Sequence, residues 1–193
     1  PASRHHVWLG SAAPDEARTL LAPELGETLR EINPFAEVTR HLAACTAKHP
    51  LNQILYLDLK LYLEGDILVK ADRASMACGL ETRAPLLNPM LLQVASRLPV
   101  DLKLHGLTRR YAFRQAIRGL VPEAILRRPK KGFNMPIAHW LRGPLRHLTT
   151  DLLSSSRLRA QRCFNADRVE RLLDEHLEGR VDHRKILWTL LVF

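Results

Sequence analysis

Apolar residues recur at helical spacing along most of this chain of 193 residues, and the apolar–polar alternation typical of strands is almost absent. One such set is Val169, Leu172, Leu173, His176 and Leu177. Two further sets are Phe113, Ala116, Ile117 and Leu120, and Leu145, Leu148, Leu152 and Leu153. The pattern predicts an all-α fold of about eight helices.

Residues that favour helix ends agree with this periodicity. Asn88 followed by Pro89 provides an N-cap and a proline at the first helical position, and Asn165 can cap a later helix. Gly79 and Gly179 suit the C-terminal ends of helices, where the backbone often turns left-handed. The final segment, residues 184–193, is an apolar helix-like run that needs a covering surface.

Length and composition are those of one globular domain, and we expect residues 1–193 to form a single helical domain. No apolar run approaches the roughly 20 residues needed to cross a membrane, and no signal peptide is visible. The three cysteines, Cys45, Cys78 and Cys163, are odd in number and widely spaced, which favours reduced thiols in the cytoplasm. The nine histidines form no ligand pattern, so no metal site is predicted.

The net charge of +9 leaves three interpretations open: binding of nucleic acid, binding of a small polyanion, or an acidic counterpart elsewhere in a larger protein. Nucleic acid is the least favoured. Only 6% of the residues are aromatic, and the basic pair Arg127–Arg128 has no aromatic neighbour, although Tyr111 follows Arg109–Arg110. Base stacking requires several aromatic side chains interleaved with the basic clusters. We therefore expect neither a nucleic-acid partner nor a membrane partner.

The most heavily charged helical stretch begins at Tyr62 and reads YLEGDILVKADRASM, followed from Leu80 by LETRAPLLN. Asp66, Lys70 and Arg73 fall on one stripe of a helix. A second stripe that can face a core contains Ile67, Ala71, Ala74 and Cys78. Because buried charge is costly, this density of ionisable groups indicates a special role.

This stretch resembles the synthetase domain of the glutamine-dependent asparagine synthetase family, whose members carry D-x-L-x-K-x-D-R-x-S-M followed by L-E-x-R-x-P-[FL]-L-[DN]. Residues 122–133, PEAILRRPKKGF, are similar to the family loop P-x-x-I-x-x-R-x-K-x-G-F. The resemblance runs in register from about Trp8 to Phe193.

The resemblance implies that the chain is the helical C-terminal portion of an adenine-nucleotide-hydrolase-like α/β synthetase domain, without its nucleotide-binding sheet. The family segments S-G-G-x-D-S and G-E-G-x-D-E do not occur in the sequence, nor does the glutaminase nucleophile. The implied partners are therefore the missing N-terminal glutaminase and nucleotide-binding segments of the same parent protein. The isolated chain is expected to be inactive, and a homodimer of the parent stays open.

The family is understood to transfer the adenylyl group of ATP to the side-chain carboxylate of aspartate. Ammonia from glutamine then displaces AMP and yields asparagine. The resemblance implies ATP with Mg²⁺ as the cofactor of the full-length protein, with none bound to this fragment. The chain would then be part of an ATP-dependent, amide-forming ligase with aspartate and ATP as its small-molecule substrates.

Lys130 aligns with the lysine of the family loop that is held to contact the phosphates, and it is the expected catalytic residue. The alternative for Lys130 is a solvated basic loop together with Arg127, Arg128 and Lys131. The residues expected to line the substrate and ATP site are Asp66, Lys70, Asp72, Arg73, Glu81 and Arg83. For Lys70 the alternative is an i, i+4 pair with Asp66, and for Asp72, Arg73, Glu81 and Arg83 it is an internal clamp before Pro85.

Two other functions stay open at this point. One is a non-catalytic helical interaction module with a basic loop. The other is a family relative that uses the same adenylation to form a different amide, such as a β-lactam, since a fold alone does not specify an acceptor.

Overall fold

The computed structural model describes residues 2–129, 132 and 135–193, apart from the side chain of Trp8. The chain is 66% helical, and the described residues contain a single two-stranded sheet. These findings confirm the predicted fold class, a mostly helical chain. The helices are shorter and more numerous than the periodicity suggested.

Fifteen α-helices lie within the described residues, against about eight expected. They are α1 (Ala2–Leu9), α2 (Pro14–Leu20), α3 (Pro23–Thr28), α4 (Ala36–Ala44), α5 (Pro50–Leu57), α6 (Val69–Met76), α7 (Pro89–Arg97), α8 (Val100–Lys103), α9 (Tyr111–Ala116), α10 (Glu123–Arg127), α11 (Ile137–Arg142), α12 (Arg146–Leu152), α13 (Ser155–Gln161), α14 (Ala166–Leu177) and α15 (Arg184–Val192). Prolines explain part of the difference, because Pro14, Pro23, Pro50 and Pro89 each begin a new helix.

The sheet is a short antiparallel hairpin of β1 (Leu104–His105) and β2 (Thr108–Arg109). Leu104 pairs with Arg109, and His105 pairs with Thr108. Gly106 has a φ of +57°, a left-handed conformation that a glycine adopts without steric cost, and so the chain can reverse within two residues.

The described residues divide into two compact units. The central unit contains Ala2 and those of Val38–Gly132, and the terminal unit contains those of Ser3–Glu37 and 135–193. Each unit is described by itself. The expectation of a single domain stays a prediction.

The terminal unit holds the hydrophobic core. Helix α14 buries Val169, Leu172, Leu173 and His176, as its periodicity predicted, and Asn165 caps it by accepting the Arg168 N–H at 3.1 Å. Other core residues are Leu20, Leu141, Leu153, Leu158, Ala166, Ile186, Leu187 and Leu190. The predicted apolar face of α12 was partly wrong: Leu148 is exposed, whereas Thr149 is buried and donates to the Leu145 carbonyl at 2.8 Å.

Helix α15 finds its cover inside the same unit. Ile186, Leu187 and Leu190 are buried, while Lys185 Nζ donates to the Gly10 carbonyl at 3.1 Å. The Phe193 ring stands edge-on to the Phe164 ring at 5.0 Å. Most of the apolar run at residues 184–193 is therefore covered by other residues of the terminal unit.

The central unit has a long helical rod in which α5, the π-helical segment Asp58–Leu68 and α6 follow one another without a break in helical backbone. Between positions 38 and 129 of the central unit, the buried apolar residues are Val38 on α4 and Leu57 on α5. Helix α9 has six residues, and Leu120, predicted to continue its apolar face, is exposed beyond Gly119 with φ +84°. Tertiary packing is therefore sparse in this unit.

Lys103 links helices α5, α7 and α8 of the central unit by hydrogen bonds. Its Nζ donates to Asn52 Oδ1 at 2.8 Å on α5 and to the Ser96 carbonyl at 3.1 Å on α7. Desolvation lowers the pKa of this lysine below its ordinary 10.5. The two hydrogen bonds hold α8 against α5 and α7.

Candidate functional site

Lys70, Asp72 and Arg73 lie on α6, and Asp66 lies one turn earlier in the π-helical segment. No residue of α6 is buried. The second stripe, which the sequence allows to face a core, is largely uncovered by the described residues: Ile67 is half-buried, and Ala71, Ala74 and Cys78 are exposed. The rod therefore presents its charged groups and its apolar groups to solvent together.

Lys70 and Asp66 form the i, i+4 pair that the sequence offered as an alternative to a site. Lys70 Nζ lies 3.2 Å from Asp66 Oδ1, and the two side chains are 65% and 51% exposed. Lys60 and Glu64 form a similar pair at 3.6 Å on the same rod. Exposed pairs of this kind stabilise a helix by only a few tenths of a kcal/mol.

The end of α6 directs the following segment back toward the helix. Gly79 has a φ of +67°, and the Leu80 N–H donates to the Ser75 carbonyl at 2.9 Å. Ser75 Oγ donates to the Asp72 carbonyl at 3.0 Å and lies 3.5 Å from Thr82 Oγ1. This C-terminal turn brings residues 80–83 beside the last turn of α6.

Glu81 and Arg83 form an exposed ion pair with each other. Among the described residues, the Asp72 carboxylate and the Arg73 guanidinium have no ion-pair partner. The structure therefore brings Asp66 to Lys70 and Glu81 to Arg83, and it places all six candidate side chains on the rod and its exit. Such a group of exposed cations and carboxylates can bind a ligand that has both anionic and cationic groups.

Lys130 lies outside the described residues, so its predicted catalytic role stays a prediction. Before it, Arg127 Nε donates to Glu123 Oε1 at 3.0 Å within α10. Arg114 donates to the Leu126 carbonyl, which fastens α9 to α10. Helix α10 thus positions Arg127, the first of the basic residues Arg127, Arg128, Lys130 and Lys131.

Two histidines of the terminal unit form hydrogen bonds that the sequence did not predict. The sequence predicted only that His176 lies on a helix. His176 is fully buried, and Arg142 Nε donates to its carbonyl at 2.7 Å. His183 Nε2 lies 2.6 Å from Glu175 Oε2, and this hydrogen bond is the main cause that lowers the pKa of Glu175 below its ordinary 4.5. These contacts join α11 and α14 to His183, the residue that precedes α15.

A polar cleft of about 250 Å³ adjoins this network in the terminal unit. It is lined by Ser11, Glu16, Asp182, His183, Arg184, Lys185 and Ile186. None of the candidate residues of the rod contributes to it. Within the described part of the chain, no cluster of three potential metal ligands occurs, and no helix is long and apolar enough to cross a membrane.

The family to which these helices belong is shown by comparison with known proteins. The family model described as asparagine synthase matches residues 3–193. This chain belongs to the asparagine synthase family.

Two relatives illustrate the similarity. A Mycobacterium tuberculosis protein, described provisionally as a glutamine-hydrolysing asparagine synthetase, is 41% identical over 182 residues, which cover 92% of this chain and 28% of the relative. The asparagine synthetase [glutamine-hydrolyzing] 1 of Bacillus subtilis is 34% identical over 171 residues, covering 86% and 27%. The chain thus spans less than a third of the length of these relatives. No solved structure matches it.

Proposed function

We propose that this chain supplies the helical wall of an ATP-dependent, amide-forming synthetase that converts aspartate, ATP and glutamine-derived ammonia into asparagine, AMP and pyrophosphate. The observation that carries the proposal is the arrangement of Asp66, Lys70, Asp72, Arg73, Glu81 and Arg83 on one helical rod and its exit turn, all exposed. Exposed ionisable groups in a family motif are typical of a site whose other wall is supplied by another segment.

The charges on the rod suit the proposed substrates. ATP and pyrophosphate are polyanions, and aspartate has two carboxylates and an ammonium group. Lys70, Arg73 and Arg83 supply donors that can stabilise negative charge, and Glu81 supplies a carboxylate for an ammonium group. Mg²⁺ would arrive with ATP and be held mainly by the phosphates and by residues of other segments.

The proposed enzyme has two further parts that this chain does not contain. A nucleotide-binding segment and a glutaminase segment of the same parent would complete the site, and the isolated chain would be inactive. We also propose that the enzyme is cytoplasmic, because ATP and reduced thiols are abundant in the cytoplasm.

The test uses the longer synthetase that the proposal requires, with this chain as one part of it. Ammonia-dependent release of pyrophosphate is measured for Lys130→Ala and for Lys70→Met. Loss of a donor to developing charge typically costs about 3 kcal/mol, so each rate should fall on the order of a hundredfold. Unchanged turnover of Lys130→Ala would remove this lysine from the mechanism.

The matched control is Lys60→Met, because Lys60 has the same i, i+4 pairing on the same rod as Lys70. This control should release pyrophosphate at the unaltered rate. An equal loss for Lys60→Met and Lys70→Met would mean that the rod tolerates no change, and Lys70 would have no special role.

A second function, a non-catalytic helical module that binds a partner, is favoured by the net charge of +9 and by the exposed apolar side chains of the central unit. A titration of the chain with ATP and with nucleic acid separates the two functions. Salt-sensitive binding of DNA or RNA that is tighter than ATP binding would favour the module. A different amide product, such as a β-lactam, would be recognised by analysing the products of the longer synthetase.

A further inference from the structure

The polar cleft beside the start of α15 has walls that direct hydrogen bonds hold together. It is called here the α15 cleft, and its lining residues are Ser11, Glu16, Asp182, His183, Arg184, Lys185 and Ile186. Thr189 Oγ1 donates to Ser11 Oγ at 2.6 Å, and Lys185 Nζ donates to the Gly10 carbonyl at 3.1 Å. These two bonds tie residues 10 and 11 to α15, and α2 packs against α14. The cleft is therefore a fixed recess within one compact unit.

The α15 cleft contains a carboxylate without a partner. Glu16 lies on α2 and is half-buried, and among the described residues its carboxylate has neither a hydrogen-bond donor nor an ion-pair partner. A carboxylate that has lost part of its water without gaining a donor is stabilised by a cationic group that enters the cleft. An ammonium group is the compact form of such a cation.

The first turn of α15 supplies donors to the same cleft. Arg184 Nη1 lies 3.2 Å from Asp182 Oδ2, and the Arg184 side chain is 51% exposed. A guanidinium has five N–H donors, so Arg184 keeps several for a ligand. The Ile186 N–H has no acceptor among the described residues, as is usual in the first turn of a helix. Together these donors suit a carboxylate.

The size and the charge balance of the α15 cleft decide the class of ligand. Its volume of about 250 Å³ lies below the roughly 300–1,000 Å³ of sites for drug-sized ligands, which disfavours a nucleotide. Its lining has two carboxylates, Glu16 and Asp182, and two cations, Arg184 and Lys185. Because these charges cancel, phosphate or another polyanion gains little there. A small ligand with one anionic and one cationic group matches both signs.

We propose that the α15 cleft binds a free α-amino acid with an uncharged side chain. Its ammonium group pairs with the Glu16 carboxylate, and its carboxylate accepts from the Arg184 guanidinium and the Ile186 N–H. A charged side chain is disfavoured because Asp182 and Lys185 already have partners within the chain. The inference goes beyond the proposed function, since the whole cleft lies in the terminal unit and contains no candidate residue of the rod.

The test is an NMR titration of the complete 193-residue chain with L-asparagine as the probe. The amide signals of Ser11 and Ile186 should shift together, with a Kd of about 1 mM, an affinity that a few charge-assisted contacts can supply. If these amides do not shift at about 20 mM asparagine, the proposal is overturned.

Two analogues of asparagine separate the two charged contacts. Succinamate lacks the ammonium group, and asparaginamide lacks the carboxylate. Each should bind about tenfold more weakly than asparagine, because each loses one charge-assisted hydrogen bond. Inorganic phosphate, which has only negative charge, should also bind more weakly. Equal affinities for asparagine and succinamate, or tighter binding of phosphate at the same amides, would overturn the proposal.

A matched pair of variants tests the ammonium contact. Glu16→Gln should weaken asparagine binding about tenfold and leave succinamate binding unchanged, because succinamate has no ammonium group to lose a partner. Asp15→Asn is the control, since Asp15 is the preceding residue of α2, is exposed and does not line the cleft. This control should bind both ligands as the unaltered chain does.

A second pair tests the carboxylate contact. Arg184→Gln should weaken asparagine binding about tenfold and leave asparaginamide binding unchanged. Arg180→Gln is the control, because Arg180 pairs with Glu178 two residues before it, as Arg184 pairs with Asp182, yet does not line the cleft. Equal effects of a variant and its control, or equal weakening of asparagine and the matching analogue, would overturn the proposal.

The comparison of asparagine with its analogues uses the unaltered chain, and so it decides the proposal even if a variant fails to fold. Amide spectra of each variant check that the fold is retained. Pyrophosphate release by the longer synthetase does not enter this test. Loss of amino-acid binding would therefore reject the α15 cleft and leave the proposed function as it stands, and the reverse also holds.

Discussion

The Nδ1 atom of His176 accepts a hydrogen bond of 3.1 Å from the backbone N–H of His183. A ring nitrogen that accepts has no proton, so the buried ring is neutral and its proton is on Nε2. Asp182 Oδ1 lies 3.6 Å from the same Nδ1 atom. The C-terminal end of α14 and the start of α15 therefore depend on a histidine that must stay unprotonated.

This relationship predicts a pH-dependent stability of the terminal unit. Burial, followed by the charge of the neighbouring Arg142, lowers the pKa of His176 below its ordinary 6.5. The unfolded chain binds the proton more readily than the folded chain, so the contribution is complete above pH 6.5 and is lost as the pH falls toward the folded pKa. Urea midpoints measured from pH 8 to pH 5 should decrease in that order.

The matched comparison is between His176→Gln and His147→Gln, because the His147 side chain is exposed. His176→Gln should reduce the slope of stability against pH below pH 6.5, and His147→Gln should leave the slope as it is. Identical slopes for His176→Gln and the unaltered chain would assign the pH dependence to other groups. Glu175, with a pKa below 4.5, contributes only at more acid pH.

The second prediction concerns the core of the terminal unit. Leu187 is fully buried, and Leu187→Ala should lower the free energy of unfolding by about 2–5 kcal/mol, because it removes apolar contacts and leaves a cavity. Leu148→Ala is the control, since Leu148 is half exposed, and it should change stability by about 0.5 kcal/mol or less. Chemical denaturation measures both free energies of unfolding. Equal losses in the two variants would mean that Leu148 is packed as tightly as Leu187.

The third prediction concerns the exit turn of α6. Gly79 has a φ of +67° and open space around it, so Gly79→Ala meets no clash but places a Cβ in a left-handed backbone conformation. The cost should be about 1–2 kcal/mol, and it should appear as faster hydrogen exchange at the Leu80 amide, which donates to the Ser75 carbonyl. Gly79→Asn should cost less, because asparagine adopts this conformation more readily. Unaltered exchange in both variants would show that the turn does not depend on Gly79.

The sequence predicted correctly what local chemistry determines. The N-caps Asn88 and Asn165 and the left-handed exits at Gly79 and Gly179 are all present, because each depends on a few neighbouring residues. The apolar positions of α14 were also predicted correctly, because that helix packs on a core within the chain.

The errors occur where packing depends on segments that are far apart in sequence. The stripe of Ala71, Ala74 and Cys78 has the spacing of a core face, yet its side chains are exposed among the residues that the structure describes. Helical periodicity specifies which residues share a face but not what packs on that face. The role of His176 was missed for a similar reason, since its partners come from α11 and from the loop before α15.

The last prediction concerns the cap of α14. Asn165 Oδ1 accepts the Arg168 N–H at 3.1 Å, which satisfies one of the otherwise unpaired donors in the first turn. Asn165→Ala should lower the free energy of unfolding by about 1 kcal/mol, and Asn165→Ser should recover most of this loss because the serine hydroxyl can accept the same bond. Urea denaturation at pH 7.5, where His176 is neutral in both states, measures the difference. A loss that serine fails to recover would mean that the asparagine side chain acts through packing rather than through the cap.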